Sequence, residues 1–227
     1  MKSSFTFKGF KVLCFVCPGK TLSNEQLLKF HGDLVFINES SNANIDNKML
    51  NKKLNLIDIK NYFQNVIVSI FYMNETPCAF SLSPFLSRDN LKVFHIGLTI
   101  VAKNPGLNLG GFLGVVNAKA AYENFGRVYL TNISSTPSLI ESFSNALGNA
   151  YPSPNCSLKS RPKHYRNVVK ILKEEYMDKC FPDQSKLQID YKRFVLISNS
   201  SEMGFKTSFH DTSFADSDLT GLNQSSF

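Results

Sequence analysis

The feature that most limits what this chain can fold into is a change of period in residues 101 to 121, VAKNPGLNLGGFLGVVNAKAA. The run HIGLTIV (95 to 101) that leads into it is apolar and β-branched, the character of a buried strand. Asn104-Pro105-Gly106 turns the chain. Beyond the turn, Leu109, Phe112, Leu113, Val116, Ala120 and Ala121 fall at helical spacing, and Gly126 is the natural C-terminal stop. A strand that enters a long helix through a glycine-rich turn gathers main-chain N–H groups at the positive end of a helix dipole.

The flanking segments say what surrounds that unit. VIVSIFY (66–72), PCAFSLSPF (77–85) and LKVFHIGLTIVA (91–102) read as three strands, with turns at 73–76 and 87–90, so an antiparallel meander is predicted. Before it come a strand over 10–17 and a helix over about 24–31, opened by Ser23 and Gln26 in capping-box spacing. A polar, Asn-rich loop over 38–53 and a short amphipathic helix over 55–64 follow. After Gly126 the pattern predicts a strand (127–133), a helix (138–147) behind the hydroxyl residues of SSTP, a helix over 164–177 and a strand at 193–198. The fold class expected is α/β: a mixed, mostly antiparallel central sheet flanked by helices, with a C-terminal extension. Residues 1–150 would form the core, and 151–227 would complete the same domain.

Composition sets outer bounds. Apolar residues are 43% of 227, enough for a sizeable core, and the formal net charge of +7 suits an acidic or phosphate-bearing ligand. Five scattered cysteines do not make a disulfide framework, which points to a reducing compartment. The N-terminal apolar run, Val12 to Cys17, is too short for a signal peptide core, and no window reaches 18 apolar residues. A cytoplasmic protein with no membrane partner is expected.

Three phosphate-binding patterns bear on the glycine turn. A P-loop needs Gly-Lys-Ser/Thr, which is missing, and the G-x-G-x-x-G dinucleotide fingerprint fails because Asn108 follows Gly106 at the second glycine place. The stretch TIVAKNPGLNLGGFL resembles the coenzyme A loop of the GNAT superfamily of acetyltransferases, R/Q-x-x-G-x-G/A between a strand and a helix. Pro105 stands in the Arg/Gln place, Asn108 in that of the first glycine, and Gly110 in that of the second. Main-chain donors do not depend on side-chain identity, and Asn tolerates the left-handed conformation best among non-glycine residues. The order of elements over about residues 10–150 resembles the GNAT succession as well.

The resemblance implies an N-acyltransferase that uses acetyl-CoA or another acyl-CoA as co-substrate. Val101, Lys103, Leu107, Asn108, Leu109, Gly110 and Gly111 would bind it, and an amine, carried by a small molecule or a protein, would attack the thioester directly. The family often places a carboxylate base on the strand before the loop. The matching place here is His95, whose ordinary pKa lies near working pH. His95 also fits a structural role, hydrogen-bonded in the core. The family's frequent tyrosine acid has no counterpart in 138–147; Ser144 and Tyr151 lie nearest.

Two other signals have plainer explanations. Cys14-Phe-Val-Cys17 is a C-x-x-C, but residues three apart on a strand face opposite sides, and no second Cys or His pair has zinc spacing; core packing is expected and no metal. LKSRPKHYRNVVKILK (158–173) is strongly basic, yet Val168, Val169, Ile171 and Leu172 mark it as a helix with a solvated face, so nucleic acid is not the expected partner. The alternative is a GNAT-like domain without catalysis that binds a partner or nucleic acid through this basic surface.

Overall fold

In the computed structural model, residues 2–42, 45, 47–102, 109–133, 164–178, 188–190 and 195–197 are described. The chain divides into two compact units, Met1–Leu130 and Thr131–Phe227.

The first unit opens with a hairpin that the sequence did not announce. Strand β1 (Lys2–Phe7) pairs antiparallel with β2 (Phe10–Val16), Phe7 opposite Phe10. The two turn residues, Lys8 and Gly9, both have positive φ, 47° and 81°, the geometry that matches strand twist in a two-residue hairpin. Cys17 leaves β2 in the left-handed region, and Pro18 starts the single-turn helix α1 (Pro18–Thr21). Helix α2 runs Asn24–Ser40, and its capping box forms as expected: Ser23 Oγ accepts from Gln26 N, and Gln26 Oε1 from Ser23 N, each at 3.2 Å. This helix extends well past the predicted end near residue 31, because Leu34, Ile37 and Asn38 are all buried beneath it; tertiary packing overrides the weak local signal of Gly32 and the β-branched residues. The polar segment that follows is organised by buried Asn38, whose side chain bonds both the N–H and the C=O of Ile45 at 3.0 Å. Helix α3 (Leu56–Tyr62) is capped by Asn55.

The meander is present. Strands β3 (Val66–Met73) and β4 (Thr76–Arg88) pair antiparallel, as do β4 and β5 (Leu91–Ile96). Both connecting turns are two-residue turns with positive φ, at Asn74–Glu75 and Asp89–Asn90. The predicted third strand over 91–102 is not continuous, however. It divides into β5 and β6 (Thr99–Val101), and both pair with β4. Helix α4 (Leu109–Phe125) ends at Gly126, whose φ is 74°, and leads to β7 (Tyr129–Asn132). The strand order is β1-β2-β3-β4-β5-β7, with β6 on β4. A helical crossover between the neighbours β5 and β7 is the connection parallel strands require, so the sheet is mixed and mostly antiparallel.

Helices cover both faces. Leu27, Phe30, Leu34 and Ile37 of α2 and Ile59 of α3 pack with Val68, Ile70, Phe80, Leu82 and Ile100 on one face. Leu113, Val116, Ala120 and Ala121 of α4 pack with Val12, Cys14, Ile67, Phe71, Ala79 and Phe94 on the other. Edge-to-face rings run through the first layer, Phe15–Phe30 at 5.0 Å and Phe30–Phe63 at 5.2 Å, each adding about 0.5–1.5 kcal/mol beyond area burial.

In the second unit, helix α5 (Tyr165–Leu172) buries Val168, Val169, Ile171 and Leu172 and continues as a π-helical turn over Lys173–Met177. Strands β8 (Gln188–Asp190) and β9 (Val195–Ile197) form an antiparallel pair. The helix expected over 138–147 lies outside the described residues.

Candidate functional site

The site is built on the interruption of the third meander strand. Between the pairs Ser81–Thr99 and Phe85–Phe94, β4 has three residues (82–84) where its partner has four (95–98). The extra residue is a β-bulge. Two residues cause it. The N–H groups along β4 alternate in direction: Leu82 donates to Leu98 O at 2.8 Å, and Phe85 donates to Asn65 O on the opposite side at 2.9 Å. By that alternation the nitrogen of Pro84 faces the third strand, where it has no hydrogen to give. Gly97 lies against the same place: a Cβ there would stand 2.6 Å from Leu82 O and 3.1 Å from Pro84 Cδ. Only glycine passes so close.

The bulge changes what the strand presents. Phe94 and Ile96 pack on the α4 face, whereas Leu98 and Ile100 pack on the α2 face, so the extra residue resets the alternation of side chains. Past it, Leu98 C=O and Ala102 N both bond to β4. Thr99 and Val101, at the intervening positions, therefore direct their main-chain groups to the opposite edge. Among the described residues, β4 is the strand that pairs with β6, and the far edge carries one isolated bridge, Ser41 to Ala102.

His95 sits one residue past the last β4–β5 pair, at the start of the bulge. It is buried, at 3% exposure, and it has interactions of its own. Its neighbour Phe94 faces α4, so His95 projects to the α2 face. Of the residues predicted to bind the acyl donor, Val101 is in β6, and Leu109, Gly110 and Gly111 form the first turn of α4. Lys103, Leu107 and Asn108, with Pro105, lie outside the described residues, as do Ser144 and Tyr151. The first turn of α4 is anchored by Phe112, which stacks on Phe7 at 3.9 Å and meets Phe71 edge-on at 5.8 Å.

Beneath α4 lies a polar group that sequence reading missed. Asn117, Ser69, Ser81 and Ser83 are fully buried. Ser69 Oγ donates to Asn117 Oδ1 at 2.7 Å; Asn117 Nδ2 donates to Ser81 O at 2.9 Å and Ser83 Oγ at 3.1 Å. Thr99 Oγ1 bonds Ser81 Oγ at 3.0 Å. The available signal was the alternation Ser81-Leu82-Ser83, which places both serines on one face of a central strand.

The C-x-x-C pair is part of the core, though not by the opposite-face argument. Cys17 has left the strand, and both cysteines pack against the α4-side cluster. Burial, with Glu123 adding to it, pushes the Cys14 thiol up to about 11, and burial raises Cys17 too, so neither is an activated thiol. No group of three or more potential metal ligands occurs among the described residues. In the basic segment, Lys170 pairs with Glu174 at 3.8 Å and Lys173 with Asp178 at 2.7 Å, on the exposed side of an amphipathic helix. No helix among the described residues is long and apolar enough to cross a membrane.

A hairpin, three helices, a meander whose third strand is bulged, a long crossover helix and a returning strand make an α/β fold with a mixed, mostly antiparallel central sheet flanked by helices, the fold class expected from the sequence. No family model matches the sequence, and no curated protein matches it significantly. Solved structures do. An aminoglycoside acetyltransferase from an uncultured soil metagenomic sample, in complex with sisomicin, is similar over 61% of this chain and 86% of its own, at 13% identity and a TM-score of 0.44. The ribosomal-protein-alanine N-acetyltransferase of Brucella melitensis biovar Abortus 2308 is similar over 54% and 80%, at 12% identity and a TM-score of 0.35. An integron cassette protein from the mobile metagenome of V. cholerae is similar over 72% and 99%, at 13% identity and a TM-score of 0.38.

Proposed function

We propose that the protein is an N-acyltransferase that moves an acetyl or other acyl group from acyl-CoA to an amine. The observation that carries this reading is the bulged strand. His95 enters the bulge, the main-chain groups of Thr99 and Val101 face an edge beyond β4, and the first turn of α4 begins eight residues after Val101, at Leu109. That arrangement offers hydrogen-bond partners for a thioester and its pantetheine arm along β6, and a helix N-terminus for a diphosphate. The proposed donor site is Val101, Lys103, Leu107, Asn108, Leu109, Gly110 and Gly111.

In the proposed reaction the amine nitrogen attacks the thioester carbonyl carbon. The N–C bond forms, the C–S bond breaks, and sulfur leaves with the electron pair. His95 takes the proton lost by nitrogen, which ends on the coenzyme A thiol. The chain's contribution is orientation of the two reactants and stabilisation of the oxyanion. The acceptor amine belongs to a small molecule or a protein.

The test is release of free thiol from acyl-CoA thioesters across an amine panel, at several pH values, for the wild-type chain and His95→Ala. The reading predicts acceptor-dependent thiol release that falls about 10²–10⁴-fold in the variant, the range for a general base. An unchanged rate across pH removes His95 from the chemistry. The second reading, a domain of this fold that binds a partner or nucleic acid without catalysis, takes its support from Pro105 and Asn108 in the places of the family's arginine and first glycine. It predicts salt-sensitive nucleic-acid or partner binding with no thiol release.

A further inference from the structure

We infer that Asn117 is a positioning residue that sets the distance between the first turn of α4 and strand β6, so that one acyl-CoA molecule can engage both at once. This rests on the acyl-CoA reading above.

Apolar contact alone does not fix where a helix sits along its axis. Leu113, Val116, Ala120 and Ala121 of α4 bury against the sheet, but such burial is non-directional and changes little if the helix slides along its axis. Asn117 lies in the middle of that face at 0% exposure, and it is directional. Its amide joins α4 to β3 through Ser69 and to β4 through Ser81 O and Ser83 Oγ. Ser81 in turn holds Thr99 of β6. One side chain therefore ties the helix to the strand that faces the proposed thioester, across three strands of the sheet.

The amide orientation is fixed by chemistry. Turned by half a rotation, it would set its oxygen against the Ser81 carbonyl, acceptor against acceptor, at the 2.9 Å that Nδ2 now occupies. Nor can the helix shift by a fraction of a turn and keep its bonds, since the partners are the main-chain carbonyls of Ser81 and, at 3.4 Å, Ile67, and two short hydroxyl side chains with little reach. Buried polar groups of this kind serve specificity of arrangement more than net stability.

A ligand that binds at two places gains from both only when their spacing matches its length. Acetyl-CoA spans both places; acetyl-pantetheine reaches only the strand. A variant that merely weakens the fold lowers both affinities together, whereas a variant that shifts the helix lowers only the first.

The experiment measures dissociation constants of acetyl-CoA, by calorimetry, and of acetyl-pantetheine, by ligand-observed NMR, for wild type, Asn117→Leu and Ser69→Ala. Ser69→Ala leaves the bonds from Asn117 to Ser81 and Ser83 in place and so guards against a leucine variant that does not fold. A cooperative urea transition selects the folded variants. The expected result is acetyl-CoA binding weakened about tenfold or more in Asn117→Leu, with a smaller loss in Ser69→Ala, while acetyl-pantetheine binding stays within about twofold. Equal loss for both ligands, or no loss for either in a folded variant, overturns the proposal. If the wild-type chain binds no acetyl-CoA, the functional reading itself falls, and the proposal with it.

Discussion

Gly97 passes Leu82 so closely that a Cβ on it would stand 2.6 Å from the Leu82 carbonyl oxygen, with Pro84 Cδ at 3.1 Å beside it. The neighbour in question is main chain of a central strand, which cannot step aside. Gly97→Ala is therefore expected to lower stability by about 1–3 kcal/mol, read as a reduced urea midpoint at constant slope. Because the bulge also aims the main chain of Thr99 and Val101, the same variant should weaken acetyl-CoA binding. An alanine variant with wild-type midpoint and affinity would show that the bulge does not depend on glycine.

On the other face, Tyr72 donates its hydroxyl hydrogen to Asp33 Oδ2 at 2.7 Å, joining β3 to α2. Burial, and after it the hydrogen bond to Asp33, hold the phenol well above its ordinary pKa, so it stays a donor throughout the working pH range. Tyr72→Phe leaves a largely buried carboxylate with Lys29, 3.6 Å away, as its remaining partner. The expected cost is about 1–3 kcal/mol, measured by chemical denaturation. A change within experimental error would mean that the Lys29 pairing alone satisfies Asp33.

His31 makes stability pH-dependent. Burial lowers its pKa, against the opposing pull of the Met49 carbonyl, 3.0 Å from Nε2. The unfolded chain takes up a proton at about pH 6.5, where the folded chain does not. The contribution is therefore complete above that pH and is lost as pH falls through the lowered folded value. His31→Gln should remove part of the slope of stability against pH below about 6.5. A slope equal to that of wild type would place the proton uptake elsewhere.

Much of this fold was legible because local chemistry and tertiary packing agreed. Ser23 with Gln26 marked the start of α2, Gly126 the end of α4, and 73–76 and 87–90 the two turns of the meander. The hairpin of β1 was not, since its turn uses Lys8, a residue without the left-handed preference of Asn or Asp, ahead of Gly9. The length of α2 was hidden because Leu34 and Ile37 gain their place from contacts with the sheet, not from local propensity. In the proposed site, the sequence placed His95 and Val101 on the strand before the turn, but the bulge between them could not be located. It depends on Pro84 and Gly97 meeting across two strands. A glycine inside a strand pattern is a bulge signal only in hindsight of its partner. Asn117 was passed over for the same reason. On a helix that otherwise buries Leu, Val and Ala, a lone Asn gains meaning only once Ser69, Ser81 and Ser83 are seen opposite it.

In the proposed function, the bulged strand and the helix after it hold an acyl-CoA. Titration of the intact chain with acetyl-CoA, followed as melting temperature against ligand concentration, tests it most directly, because a ligand that binds only the folded state must raise the transition by mass action. A saturable rise is expected, one that desulfo-coenzyme A reproduces and Gly97→Ala diminishes. A melting temperature unmoved by acetyl-CoA up to millimolar concentration would contradict it.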